Sequence, residues 1–173
     1  MFKQTRWIDR KFELNYPVGV FPCVVARIKG TPARLEEIAA SLTPELLTAP
    51  VENGWTIQEN IGHLIDSEAL FSRRLNDYLS GHETLQPASL DGRKTAASNH
   101  NARDIKDILR MFRMVRGAFV TQLEALDENM VGRSALHPRL NIQMRLIDMV
   151  YLMAEHDDFH IARIYELIEH FKH

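Results

Sequence analysis

Two histidines four residues apart, His156 and His160, are the residues whose type and spacing best suit chemistry in this chain. They lie in Glu155-His156-Asp157-Asp158-Phe159-His160, inside an apolar-periodic run from about Ile142 to Ile168. On a helix of about 100° per residue, Ile142, Leu146, Met149, Met153, Ile164 and Leu167 share one stripe. Both histidines fall on that stripe, where the pattern asks for Leu or Ile. Two imidazoles one turn apart on one face are how a helix offers two nitrogen ligands to a single metal ion. The plainer reading is two core histidines, each satisfied by a hydrogen bond. A metal held by this pair alone would be weakly fixed, so the metal reading needs a third protein ligand. By chemistry the candidates are His63, Glu68, Glu59, Asp66, His100 and His137. Periodicity does not choose among them. His63 lies about 100° or more from the middle of its own helix's stripe, on a flank that can still face a neighbouring helix.

Four helical patterns must position these residues. The first runs from about Val20 to Leu42, keeps its phase through Gly30-Thr31-Pro32, and should kink there. Thr43-Pro44-Glu45 opens a short turn or helix that Pro50 ends. The second starts at a capping box, Thr56-Ile57-Gln58-Glu59, and carries Ile57, Ile61, Leu64, Phe71 and Leu75 to about Leu79, where Gly81 stops it. Glu68 falls on that stripe and needs a partner, because an unpaired buried carboxylate is costly. The third runs from about Ala102 to Leu126, capped by Asn101 or Asn99. Arg110, Arg113 and Arg116 recur along it and read as a solvated face, with anion-holding arginines at a pocket mouth as the lesser reading. The fourth runs from about Ile142 to His170 with Asn141 as its cap. Residues 80–101 read as a long loop with Gly81, Pro87 and Gly92, in which His82 and His100 are surface histidines. Residues 127–141 form a second connection containing His137-Pro138-Arg139. No strand alternation of useful length appears. The expected fold is therefore all-α, an antiparallel four-helix bundle with long connecting loops, over residues 20–173. Residues 1–19 form an N-terminal arm whose aromatics (Phe2, Trp7, Phe12, Tyr16) pack across the bundle end.

Bulk properties set limits on function. At 173 residues the chain suits one domain, and its 45% hydrophobic and 25% charged residues are ordinary for a globular protein. A formal net charge of -2 gives no electrostatic case for nucleic acid or an anionic membrane. No stretch is long and apolar enough to span a bilayer, and the first residues lack the apolar core of a secretory signal. The single cysteine, Cys23, permits no intrachain disulfide and no CxxC zinc site. It reads as a small buried hydrophobe beside Val24 and Val25. A reducing, cytoplasmic setting is expected.

Two motifs carry a resemblance. Trp55-Thr56-Ile57-Gln58-Glu59-Asn60-Ile61-Gly62-His63-Leu64-Ile65-Asp66-Ser67-Glu68 resembles the tryptophan, acidic residue and His-Leu-x-Asp at the start of the second helix in the DinB superfamily. His156-Asp157-Asp158-Phe159-His160-Ile161-Ala162-Arg163-Ile164 resembles that family's His-x-x-x-His and the run after it. His137-Pro138 is similar to the His-Pro often found in the preceding loop. The likeness spans about residues 20–170 in element order and leaves the arm uncovered. It implies a bacterial four-helix protein with a three-histidine site, and so His63, His156 and His160 as the metal ligands. It implies one divalent transition metal (Zn, Ni, Fe, Mn or Co), with positions left for water or substrate. Asp66, Glu68 and Glu155 are the carboxylates placed to orient a histidine or act as a base. The implied function is that of a metal-dependent enzyme on a small molecule. Foremost is an S-transferase using a low-molecular-weight thiol of the bacillithiol type. Metal-assisted hydrolysis is the first alternative, and a non-catalytic metal-stabilised binding or stress-response module is the second. A homodimer is an assembly open to such a chain.

Overall fold

The capping box at Thr56 is the best-defined start in the computed structural model, which describes residues 4–52, 54–88 and 93–172. The Thr56 hydroxyl accepts from the Glu59 backbone at 3.0 Å, and Glu59 Oε2 accepts from the Thr56 backbone at 2.9 Å. Two amides that a helix start leaves unpaired are thereby satisfied. Phe2 and Gly92, named above in the arm and the long loop, lie outside the described residues.

In chain order the helices are α1 (Phe21–Ala40), α2 (Pro44–Leu47), α3 (Ile57–Ser80), α4 (Arg93–Ser98), α5 (Ile105–Glu124), α6 (Glu128–Val131) and α7 (Leu146–His170). A hairpin of β1 (Ser134–His137) and β2 (Ile142–Arg145) precedes α7. Its strands pair antiparallel from Ser134 opposite Arg145 to His137 opposite Ile142. α3 ends where Gly81 takes a left-handed φ of 73°, which only glycine adopts without strain.

α1, α3, α5 and α7 form the four-helix bundle. α1 packs on α5 and α7, and α3 packs on the same two, so α1 and α3 lie across a diagonal. The apolar interior is split in two. One core gathers the first half of α1 (Phe21, Val24, Ile28), the first half of α7 (Met149, Val150, Met153) and the last halves of α3 and α5 (Leu75, Tyr78, Phe119, Leu123). The other gathers the opposite halves: Leu35 and Ile38, Ile161 and Ile164, Ile57 and Ile61, Ile108 and Phe112. It follows that α1 and α7 run one way and α3 and α5 the other. α3 and α5 are therefore parallel neighbours. The chain leaving α3 must return along a helix of 24 residues, roughly 36 Å at 1.5 Å per residue, before α5 can begin. That is why the 81–104 connection is long, and why it carries α4 and a 3-10 turn at His100–Ala102 along the side of α3.

Between the two cores lies a polar layer. Arg116 of α5 is 1% exposed. Its guanidinium donates to Glu68 Oε1 on α3 at 2.6 Å and to both Asp157 oxygens on α7 at 2.5 and 3.1 Å. A further N–H goes to the Ile28 carbonyl of α1 at 3.0 Å. Pro32 explains that last bond. It lacks the N–H that would have bonded Ile28 four residues earlier, so the carbonyl it strands is taken by Arg116. Thr31 Oγ1 donates to Asp157 Oδ2 at 2.6 Å, and α1 stays a single helix through the proline.

Several local expectations are corrected. Arg116 is not on a solvated face; Arg110 and Arg113 are, bonded to Asp107 and Glu36. Cys23 is exposed, because Val24, Val25 and Ile28 take the inward face of α1. α5 begins three residues after Ala102 with Asp104 as its cap, accepting from Lys106 at 2.8 Å. Asn101 accepts instead from the Thr56 hydroxyl at 2.8 Å. α7 begins at Leu146, not Ile142, and Asn141 sits in the hairpin turn with a φ of 53°. Ile142 and Leu146 share a helical phase by coincidence, and strands of four residues are too short to betray their alternation. Residues 80–101 are not all loop, since α4 lies within them.

Candidate metal centre

His63 lies two turns into α3, and His156 and His160 lie in the middle of α7. Because α3 and α7 are antiparallel neighbours, the flank position of His63 is carried across to the α7 pair. One nitrogen from each of the three imidazoles lies within 4.8 Å of the others. The Nε2 atoms of His63 and His160 are each 3.2 Å from Nε2 of His156. His156 is 9% exposed and His160 is 5% exposed.

The partner of the other ring nitrogen settles which atom of His160 faces inward as a lone pair. His160 Nδ1 is 2.9 Å from Asn60 Oδ1. Asn60 Nδ2 donates to the carbonyls of Trp55 and Thr56 at 3.2 and 2.8 Å, so its orientation is fixed. The Asn60 oxygen therefore accepts, Nδ1 of His160 carries the proton, and Nε2 presents a lone pair. His63 Nδ1 is 2.9 Å from the Thr95 hydroxyl of α4. Burial, followed by the charge of Arg116, pushes the His156 imidazole down to about 4. Burial and the two neighbouring imidazoles push His160 well below its ordinary value. Both rings are neutral near pH 7, the form that ligates a metal. Protons do not resolve the cluster: an N–H on His156 Nε2 can serve one neighbouring lone pair and leaves the other facing it, while His156 Nδ1 is buried with no hydrogen-bond partner. A divalent cation accepts all three lone pairs at once, so the residues present fit a metal.

The remaining candidates are elsewhere. Glu59 is engaged in the capping box. Glu68 is held by Arg116. Burial, with Asp157 sharing the same cation, outweighs Arg116 and pushes the Glu68 carboxyl up to about 7. Its Oε2 is buried with no hydrogen-bond partner. Glu155 bonds Arg27 of α1 at 2.7 Å, and Asp158 bonds Arg27 and Arg34 there. His137 is in β1, where its Nδ1 accepts from the Leu140 backbone at 3.2 Å. His82 is exposed and bonded to Asp77. His100 is not a surface residue. It is 1% exposed, with Nε2 2.9 Å from Asp66 Oδ2. Its ring lies so close over Gly62 that a Cβ there would meet His100 Cγ at 2.2 Å. Burial works against the charge of Asp66, but hydrogen bonds from His100, Ser98 and Thr95 hold its carboxyl below the usual value. Asp66 thus ties the crossover to α3 one turn beyond His63.

Aromatic rings surround the cluster. Trp55 lies 4.5 Å from His63 and 6.0 Å from His160, stacked on the latter, and Phe71 is edge-on to His156 at 6.3 Å. Trp7, from the segment before α1, is edge-on to His156 at 5.2 Å. Sequence reading did not single out Asn60, Thr95 or Trp7 for the site, and it misplaced Arg116. One signal for Arg116 was present: it follows Phe112 by four residues and precedes Phe119 by three, on the apolar stripe, as Glu68 sits on the stripe of α3.

Comparison with known proteins agrees with this architecture. No curated protein matches the chain. The fold is similar to that of YfiT from Bacillus subtilis, described as a probable metal-dependent hydrolase with an unusual four-helix bundle topology, at a TM-score of 0.80 and 21% identity, covering 94% of both chains. It is also similar to the mycothiol-dependent maleylpyruvate isomerase, at a TM-score of 0.66 and 10% identity, covering 92% of this chain and 62% of that one. The family model of the DinB superfamily matches residues 27–164, from α1 to the far side of the histidine pair, and the chain belongs to that superfamily.

Proposed function

We propose that this chain is a metal-dependent enzyme acting on a small molecule, with one divalent transition ion on His63, His156 and His160. The observation that carries the reading is the convergence of three Nε2 atoms, with the His160 proton held away from the centre by Asn60. Three imidazoles leave positions for other ligands, which suits chemistry more than scaffolding. The similarity to YfiT supports the coarse reading. A bound ion would supply Lewis acidity, lowering the pKa of a thiol or water brought to it.

Within this reading we favour thiol S-transfer, with a low-molecular-weight thiol as nucleophile and an electrophilic small molecule as acceptor. The candidate carboxylates are committed to other partners: Glu68 to Arg116, Glu155 to Arg27, and Asp66 to His100 and Ser98. A thiol ionises far more readily than water and depends less on a side-chain base. The protein's own residues then bind and orient. Asn60 and Thr95 hold His160 and His63, and the tryptophans exclude water. The similarity to a mycothiol-dependent isomerase favours a thiol, and that to YfiT favours hydrolysis as the second reading.

Elemental analysis of untagged protein tests the metal, with about one transition ion per chain expected and none in His156→Ala/His160→Ala or in His63→Ala. Full stoichiometry in the His63 variant would sink the three-histidine set. Thiol consumption that requires both metal and electrophile supports transfer. Turnover of an ester or amide with no thiol present supports hydrolysis.

A further inference from the structure

The segment before α1 lies over the histidine cluster. Gln4 Nε2 donates to the Phe159 carbonyl at 3.0 Å, so the segment crosses α7 one residue before His160. Trp7 contacts His156 edge-on and packs on Phe12 at 5.1 Å and on Phe159 at 6.0 Å. The Arg10 guanidinium lies 5.0 Å over the Phe159 ring. Farther along, Tyr16 packs on Tyr151 at 4.5 Å and its carbonyl accepts from Arg145 at 3.0 Å, which anchors the base of the segment to α7. On its inner side the cluster is closed by Phe71 and the Arg116 layer. Among the described residues Trp7, Trp55 and Phe159 beside it stay partly exposed, as does His63 itself. The two tryptophans, the only two in the chain, thus stand beside the cluster on a side that solvent reaches.

We infer that Trp7 is a specificity-determining wall of the site, and that with Trp55 it selects substrates bearing a flat aromatic group beside the atom that meets the metal. The inference rests on the metal reading above. The two indoles and the Phe159 phenyl are large apolar rings set beside the cluster. The edge-on contact of Trp7 with His156 sets that wall directly beside the ligating ring. Among the described residues no hydrogen bond to the Trp7 indole is seen; the ring is located by packing on Phe12, Phe159 and His156 and by its carbonyl, which accepts from the Arg10 backbone at 3.2 Å. Trp7 belongs to neither apolar core, so a change there should leave the bundle intact.

The test uses the full chain loaded with Co(II), whose visible spectrum reports its ligands, and two bidentate probes that differ only in a ring, acetohydroxamate and benzohydroxamate. Wild type should bind benzohydroxamate about ten-fold more tightly than acetohydroxamate. Trp7→Ala should bring the ratio to roughly two or three while leaving acetohydroxamate affinity within about two-fold, and Trp7→Phe should keep most of the preference. In Trp55→Phe, Trp7 is the sole tryptophan, and its fluorescence should change on benzohydroxamate binding. A normal Co(II) spectrum with an unchanged ratio in Trp7→Ala overturns the wall alone. No Co(II) spectrum in wild type overturns the metal reading and this inference together.

Discussion

At the scale of residues, the site depends on groups that ligate nothing. Asn60 is read by three partners: its amide binds two backbone carbonyls, and its oxygen holds the His160 proton. Asn60→Leu keeps the volume and removes the acceptor, so His160 can turn its proton inward. Loss of such an orienting partner commonly weakens metal binding about 10- to 100-fold, and competition with a chelator against wild type measures it. Unchanged affinity would mean that packing alone orients the ring. Gly62 is a different kind of requirement. It is small because the buried His100 ring occupies the space a Cβ would need.

At the scale of elements, four helices meet at one cation. Arg116 reaches Glu68 on α3, Asp157 on α7 and the Ile28 carbonyl that Pro32 frees on α1. Burial works against its charge, but Asp157 and Glu68 outweigh it and hold the guanidinium above its ordinary pKa. Replacing a buried ion cluster by apolar residues can be neutral, yet removing one partner strands the others. Arg116→Met should therefore destabilise by about 3 to 5 kcal/mol, a fall of roughly 10 °C or more in melting temperature for a chain of this size. A triple variant with Glu68→Leu and Asp157→Leu added should recover much of it. If Arg116→Met alone melts within about 2 °C of wild type, the cluster is not what joins the two cores. The crossover is the second device at this scale. The parallel run of α3 and α5 forces it past α3, and that passage delivers Thr95 to His63 and His100 to Asp66.

At the scale of the whole molecule, two buried groups give stability a dependence on pH of opposite sign. The Glu68 carboxyl is raised from 4.5 to about 7 by burial. The folded chain keeps that proton longer than the unfolded one, so its contribution is fully present below about pH 4.5 and is lost as pH rises through about 7. His137 is lowered from 6.5 to about 4 by burial and by Arg74 and Arg139. Its contribution is present above about pH 6.5 and is lost as pH falls through about 4. His156 and His160, also lowered by burial, act in the same direction as His137, so metal-free protein should be most stable near neutral pH. Glu68→Gln should gain on wild type by roughly 2 to 3 kcal/mol between about pH 5 and pH 8, as followed by urea unfolding. A constant difference across that range would show that Arg116 keeps Glu68 ionised throughout.

What the sequence by itself determined was periodic or local. The helices of the bundle, the Thr56 capping box, the Gly81 stop and the inward face of His156 and His160 follow from a repeat of 3.6 residues and from bonds made within one turn. The need of Glu68 for a partner was also legible, because a charge on an apolar stripe is costly wherever the helix packs. The third histidine was legible only through the family's motif, since its wheel position left it on a flank. The tertiary structure decided what depends on which helix lies beside which. It set α3 against α7, so that His63 meets the α7 pair, and joined Arg116 to Glu68 across residues 48 apart in sequence. It buried His100 and laid Trp7 over the site. The physical reason is that a helical repeat states which face is apolar but not which neighbour covers it. That choice is made by loop closure and packing among several helices at once, and in this chain the long return from α3 to α5 made it.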